Sequence, residues 1–233
     1  NYLPEITAQM VDQDAAYLHM TTNNTIYGSR YNTFPDTGKV PLIADQTSEI
    51  LSRVIDYSKF GCIYAGLQKN LGPSGTAIVV IREDLLGHAS PETPVLLNYE
   101  QCAKDNSLTN TANTFAIYVT GLVLDWLQEQ GGVAAIEKVN EQKAKTLYDV
   151  IDAGDYYRGV IQAEFRGTMN VSFNLPSEEL EAKFLKEAGA LGLYALKGHR
   201  SVGGIRASIY NAMPLAGVET LAGFMQEFES KNG

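Results

Sequence analysis

The sequence predicts an α/β domain with a mostly parallel sheet, followed by a smaller α+β domain. Three observations carry this: short β-rich segments alternating with amphipathic stretches in the first half, two helix-length apolar stretches on either side of Gly131-Gly132, and a strand–helix–strand–helix order after them. At 233 residues the chain is long enough for one large domain or two modest ones, each with its own core.

Taken in order, Ala16-Tyr17-Leu18-His19-Met20 reads as a strand, and so does Pro41-Leu42-Ile43-Ala44, which stops at Asp45. Ile63-Tyr64-Ala65-Gly66 is a further short strand running into the polar turn Gln68-Lys69-Asn70. After Gly72-Pro73-Ser74-Gly75, the run Thr76 to Ile81 is dense enough in β-branched residues to predict a buried strand, which puts Lys69 on a loop between two strands. Thr114 to Gln130 has helical length and a wide apolar face with Phe115, Val119, Leu122 and Trp126, and ends at Gly131-Gly132. The next helix carries Ile136, Val139, Leu147, Val150 and Ile151. The α+β part consists of a strand from Met169 to Leu175, a helix from Glu178 to Ala188, a strand from Gly203 to Tyr210 and a last helix with Val218, Leu221, Met225 and Phe228 on one face. A domain boundary is placed near Gly131, dividing residues 1–130 from 131–233.

Charge and cysteine usage narrow the function. Eighteen basic against 27 acidic residues give a net charge of −9, which opposes broad attraction to nucleic acid or an anionic membrane. No apolar run approaches membrane-spanning length, and no signal-peptide pattern opens the chain. Cys62 and Cys102 have neither CxxC nor metal-ligand spacing, so a reducing cytoplasm is expected and no metal site.

Two constellations could carry chemistry. Asp45 at a strand end and Lys69 on a strand-flanked loop sit where α/β sheets gather functional side chains. A lysine amine that forms a Schiff base and a carboxylate that keeps a pyridine nitrogen protonated are what a pyridoxal-phosphate enzyme requires. Spacing alone leaves open a surface lysine and a capping aspartate. The second set is His199, Arg200 and Arg206, beside a Gly-rich turn leading into a strand, where guanidinium forks suit carboxylate or phosphate. Solvated basic residues near a turn are the other reading. His19 and His88 are lone histidines, structural or exposed, and Cys62 reads as a small core residue, which counts against a cysteine desulfurase.

The wording around these residues decides. Ala44-Asp45-Gln46-Thr47-Ser48-Glu49-Ile50-Leu51-Ser52-Arg53, then Tyr64 to Gly75, then Leu108-Thr109-Asn110-Thr111, then Lys197-Gly198-His199-Arg200-Ser201-Val202-Gly203-Gly204-Ile205-Arg206 through Pro214, resemble the phosphoserine aminotransferases, a class V family of fold-type I pyridoxal-phosphate enzymes. The resemblance covers essentially the whole chain. It implies the fold-type I architecture, with part of the large domain and the small C-terminal domain, and pyridoxal 5'-phosphate as cofactor. It further implies transamination between L-glutamate and 3-phosphohydroxypyruvate in serine biosynthesis, with a role in pyridoxine biosynthesis for some bacterial members. Lys69 is then the Schiff-base lysine and general base, Asp45 the partner of the pyridinium nitrogen, Gln68 a contact of the cofactor phosphate and Thr25 a partner of the ring hydroxyl region. Asn110 and Thr111 reach the cofactor phosphate of the neighbouring subunit, which makes a homodimer the expected assembly. Arg206 binds the α-carboxylate, and His199 with Arg200 help bind the phosphate or the side-chain carboxylate of glutamate.

Members of this family extend further at the N-terminal side, where they carry a phosphate-binding helix start and a ring-stacking tryptophan; Trp126 lies in a helix and does not fill that position. The resemblance therefore implies that this stretch alone is not a competent enzyme. Another class V enzyme with a different acceptor, or a non-catalytic dimerisation module, are the alternatives. A non-phosphorylated acceptor would give no reason for the positive charge of His199 and Arg200 beyond Arg206.

Overall fold

The computed structural model describes residues 1–233. Its central sheet has four strands in the order β1 (Leu18–Thr21), β4 (Leu42–Asp45), β5 (Cys62–Gly66) and β6 (Ala77–Ile81). The first three are parallel, and β6 pairs antiparallel with β5. Between β1 and β4 a two-stranded hairpin forms from β2 (Asn23–Asn24) and β3 (Ser29–Arg30). Helices α1 (Tyr99–Lys104), α2 (Thr114–Glu129) and α3 (Val133–Ile151) follow. The rest of the chain forms a three-stranded antiparallel sheet, β7 (Arg158–Gly159), β8 (Asn170–Asn174) and β9 (Ile205–Ser208), with α4 (Glu178–Ala190) before β9 and α5 (Leu215–Asn232) last.

Two separate apolar cores result. The first gathers Met20, Leu42, Ala44, Ile63 and Ala65 from one face of the parallel strands with Ile50, Phe60 and Leu71 from the loops. The second joins Leu147 and Ile151 of α3, Val171 and Phe173 of β8, Phe184 of α4 and Met225 and Phe228 of α5. Alternation along β4 fixes which residues face away from the first core: Leu42 and Ala44 are buried, while Ile43 and Asp45 are only half-buried. The strand pairing puts Asp45 beside Tyr64 of β5.

Most expected elements are present within a few residues. Two burial expectations fail. The strand after Gly75 is not buried: Ile78, Val79 and Val80 are 37%, 36% and 51% exposed, because β6 is an edge strand and neither of its faces is closely covered by this chain. The apolar face of α2 is also open, with Phe115 67% and Leu122 49% exposed, and Val139 of α3 lies outside the core. An apolar pattern records that a face wants cover, not which part of a protein supplies it. No helix is long and apolar enough to cross a membrane.

Candidate active site

Strand ends bring the first constellation together. Asp45 closes β4, and its Oδ1 accepts a hydrogen bond from the Thr47 backbone N–H at 2.8 Å, leaving Oδ2 without a protein partner. Beyond β5, the Leu71 and Gly72 N–H groups both donate to the Leu67 carbonyl, and this single tight turn carries Lys69. The Lys69 ammonium donates to Thr25 Oγ1 at 2.5 Å. Thr25 is held in turn because Asn24 Oδ1 accepts from the Ile26 and Tyr27 N–H groups and closes the β2–β3 turn.

Electrostatics tie three of the expected residues to one place. Burial pulls the Lys69 ammonium below its ordinary pKa; the Asp45 carboxylate acts against that, and the Arg206 guanidinium adds to it. Arg206 stands on β9, whose neighbours Ile205 and Ala207 point into the second core. Its Nε is buried without a hydrogen-bond partner, while the side chain as a whole is half-buried and forms no ion pair, which leaves the guanidinium fork available to a carboxylate. Asn170 shares that face of the sheet and donates to Ser208 Oγ and Tyr210 Oη. The Ile26 carbonyl accepts from Ser172 Oγ, so the turn bearing Thr25 lies against β8.

The other expected residues lie around this centre without joining it. Gln68 is exposed, with its amide folded over Gly66. His199 Nδ1 is hydrogen bonded to Ser201 Oγ at 2.7 Å, and Arg200 is exposed and forms no ion pair. Both belong to the turn entering β9, where Gly204 has φ +67° and a Cβ would meet the Phe173 carbonyl at 2.6 Å, so glycine is required there. Asn110 and Thr111 are exposed and line a groove between β6 and α2, with no hydrogen bond to Lys69, Asp45 or Thr25. Cys62 is buried, and burial pushes its thiol pKa up.

Sequence reasoning missed a set of buried polar side chains around the centre: Asn23, Ser48, Asn70, Asn140, Lys143, Asn170 and Asn211. A signal existed for two of them. Asn140 and Lys143 interrupt the stripe Ile136, Ala144, Leu147 at helical spacing, which marks a polar group facing inward.

An amine, a carboxylate with one free oxygen and a half-buried guanidinium whose Nε is unpaired thus act on one another at one place. The chain belongs to the class V aminotransferase family, whose model matches residues 1–221. Within it, the chain is 52% identical over 234 residues to the phosphoserine aminotransferase of Herpetosiphon aurantiacus, covering 100% of this chain and 65% of that relative. The solved structure of the phosphoserine aminotransferase of Bacillus circulans subsp. alkalophilus superposes with a TM-score of 0.96 at 47% identity, covering 99% of this chain and 64% of that one. The PLP-bound phosphoserine aminotransferase of Trichomonas vaginalis superposes with a TM-score of 0.88 at 39% identity, covering 93% and 61%. The chain thus spans about 64–65% of the length of the curated relatives it matches.

Proposed function

We propose that the protein carrying this chain is a cytoplasmic, homodimeric, pyridoxal-phosphate-dependent transaminase that exchanges an amino group between L-glutamate and 3-phosphohydroxypyruvate, giving 2-oxoglutarate and phosphoserine for serine biosynthesis. Residues 1–130 belong to its large cofactor-binding domain and residues 131–233 to its small domain. The observation that carries this reading is the half-buried Lys69 amine, its pKa lowered by burial, with the Asp45 carboxylate and the Arg206 guanidinium acting on it.

When bound, the cofactor supplies an aldehyde for covalent capture of amines and a cationic ring that accepts electron density. Asp45, whose Oδ2 has no protein partner, would keep the ring nitrogen protonated. Lys69 would hold the cofactor covalently and serve as the general base at the substrate α-carbon; a lowered pKa leaves more free amine for that task near neutrality. Thr25 orients the Lys69 amine and the ring hydroxyl. Arg206 holds the α-carboxylate in bidentate fashion, while Gln68 meets the cofactor phosphate. His199 and Arg200 take the substrate phosphate or the glutamate side chain, and Asn110 and Thr111 serve the cofactor of the neighbouring subunit.

The test is borohydride reduction of the full-length protein after pyridoxal-phosphate treatment, followed by peptide mass spectrometry. A reduced adduct on Lys69, absent in Lys69→Ala, with glutamate-dependent amino transfer, is the expected result. An adduct spread over surface lysines with no transfer would leave only a non-catalytic dimerisation module.

A further inference from the structure

Three asparagines, two from loops and one from α3, converge on one turn. The turn Ile50-Leu51-Ser52 follows Asp45 and contains a non-glycine residue in the left-handed region, Leu51 at φ +55°. Its three successive carbonyls each accept from a different asparagine. Asn70, adjacent to Lys69, donates to the Ile50 carbonyl at 3.1 Å. Asn211, just past β9, donates to the Leu51 carbonyl at 3.0 Å. Asn140 of α3 donates to the Ser52 carbonyl at 2.9 Å.

The asparagines also bind one another. Asn70 Oδ1 accepts from the Asn211 backbone N–H at 3.1 Å, and Asn211 Oδ1 accepts from Asn140 Nδ2 at 2.9 Å. All three are at least nine-tenths buried. Lys143, one turn along α3, donates to the carbonyls of Ile209, Tyr210 and Met213 and so fixes the same exit of β9. These side chains are buried and their amides or ammonium are engaged with the protein itself, so they are not placed to bind substrate.

We infer that Asn70, Asn140 and Asn211 are positioning residues: their clasp sets the place of Arg206 relative to Lys69 and Asp45, and through it the productive seating of a carboxylate substrate. The path is short. Asn70 is one residue from the amine and Asn211 is five from the guanidinium, and each is bonded to the turn that follows the carboxylate. Buried amides of this kind have fixed directions, so the clasp registers the two lobes where an apolar contact would let them slide. A displacement of about 1 Å at a reacting centre costs up to about a hundredfold in rate.

The inference rests on the transaminase reading, and two readouts separate them. Asn211→Leu keeps about the side-chain size, adds no charge, and removes both the donor to the Leu51 carbonyl and the acceptor for Asn140. In the full-length protein it is expected to raise KM for glutamate about tenfold with a smaller loss in kcat. In cofactor-free protein, the Lys69 amine, followed by NMR of its reductively methylated form, is expected to titrate higher than in the parent, since the Arg206 charge is no longer held near it. The second readout needs no catalysis, so if the parent forms no Lys69 adduct the transaminase reading fails while the clasp is still judged by that titration. Asn140→Ala removes a single amide and serves as the second variant should Asn211→Leu not fold. A lower melting temperature with both KM and the Lys69 titration unmoved, in either variant, overturns the assignment.

Discussion

Lys143→Met is the substitution whose outcome the structure constrains most closely. Lys143 is fully buried in α3, and its ammonium meets three backbone carbonyls at 2.8–3.1 Å. The Tyr210 carbonyl keeps a second donor, the Met213 N–H, so removal of the ammonium orphans two carbonyls, those of Ile209 and Met213. Each buried acceptor left unpaired costs roughly 1–3 kcal/mol. Relief from burying a charge offsets part of that, so a net loss of about 3 kcal/mol is expected in urea unfolding near neutral pH. The pH dependence tests the reasoning. Burial lowers the ammonium pKa from 10.5 to about 8. Between these values the unfolded chain holds the proton and the folded chain does not, so stability contributed by this residue rises with pH in that window. The difference between parent and variant should therefore widen from about pH 8 to about pH 10. A gap that narrows instead would show that the three carbonyls hold the proton more strongly than burial expels it, and would refute the argument.

Phe184→Ala should cost about 3–5 kcal/mol in equilibrium unfolding, since the ring is fully buried and packs against Phe224, Phe228 and Phe173 at centroid distances of 4.8, 5.2 and 6.1 Å; a loss below about 1 kcal/mol would place it outside the core. Asp45→Asn and Arg206→Gln should move the Lys69 pKa in opposite directions in cofactor-free protein, the first down and the second up. Shifts of the same sign in an NMR titration of the amine would mean that the two groups do not act on it directly.

The parts of this molecule legible in the sequence are those whose signal is local. Asn113 Oδ1 accepts from the Ala116 N–H and starts α2, and Gly131 at φ +94° follows its end, so both limits of that helix could be read in place. Asp45, which ends one apolar strand, and Lys69, three residues past another, could be placed from local signal, but their role was legible only through the wording of the segments around them. Helix α1 was not, at six residues, nor was the β2–β3 hairpin, whose strands have two residues each. The exposure of β6 and α2 was out of reach for a different reason: Thr76 to Ile81 has the composition of a buried strand whether or not this chain covers it. The clasp was illegible because its members lie up to 160 residues apart, as Leu51 and Asn211 do.

The placing of the candidate site between the two cores follows from the chemistry of the seam. No buried apolar cluster bridges the first core and the second. What joins them near Lys69 is polar: Asn23 Nδ2 donates to Ser48 Oγ at 2.8 Å and to Asn170 Oδ1 at 3.2 Å, and the asparagine clasp lies alongside. Such a seam contributes little net stability per bond, about 1 kcal/mol, but leaves each buried group costly if it loses its partner. Sliding one lobe over the other by about 1 Å would stretch these bonds together past the range of a hydrogen bond. On the proposed function, side chains from the two sides of this seam, Lys69 and Asp45 on one and Arg206 on the other, would meet a single small molecule because the joint between them has one low-energy register.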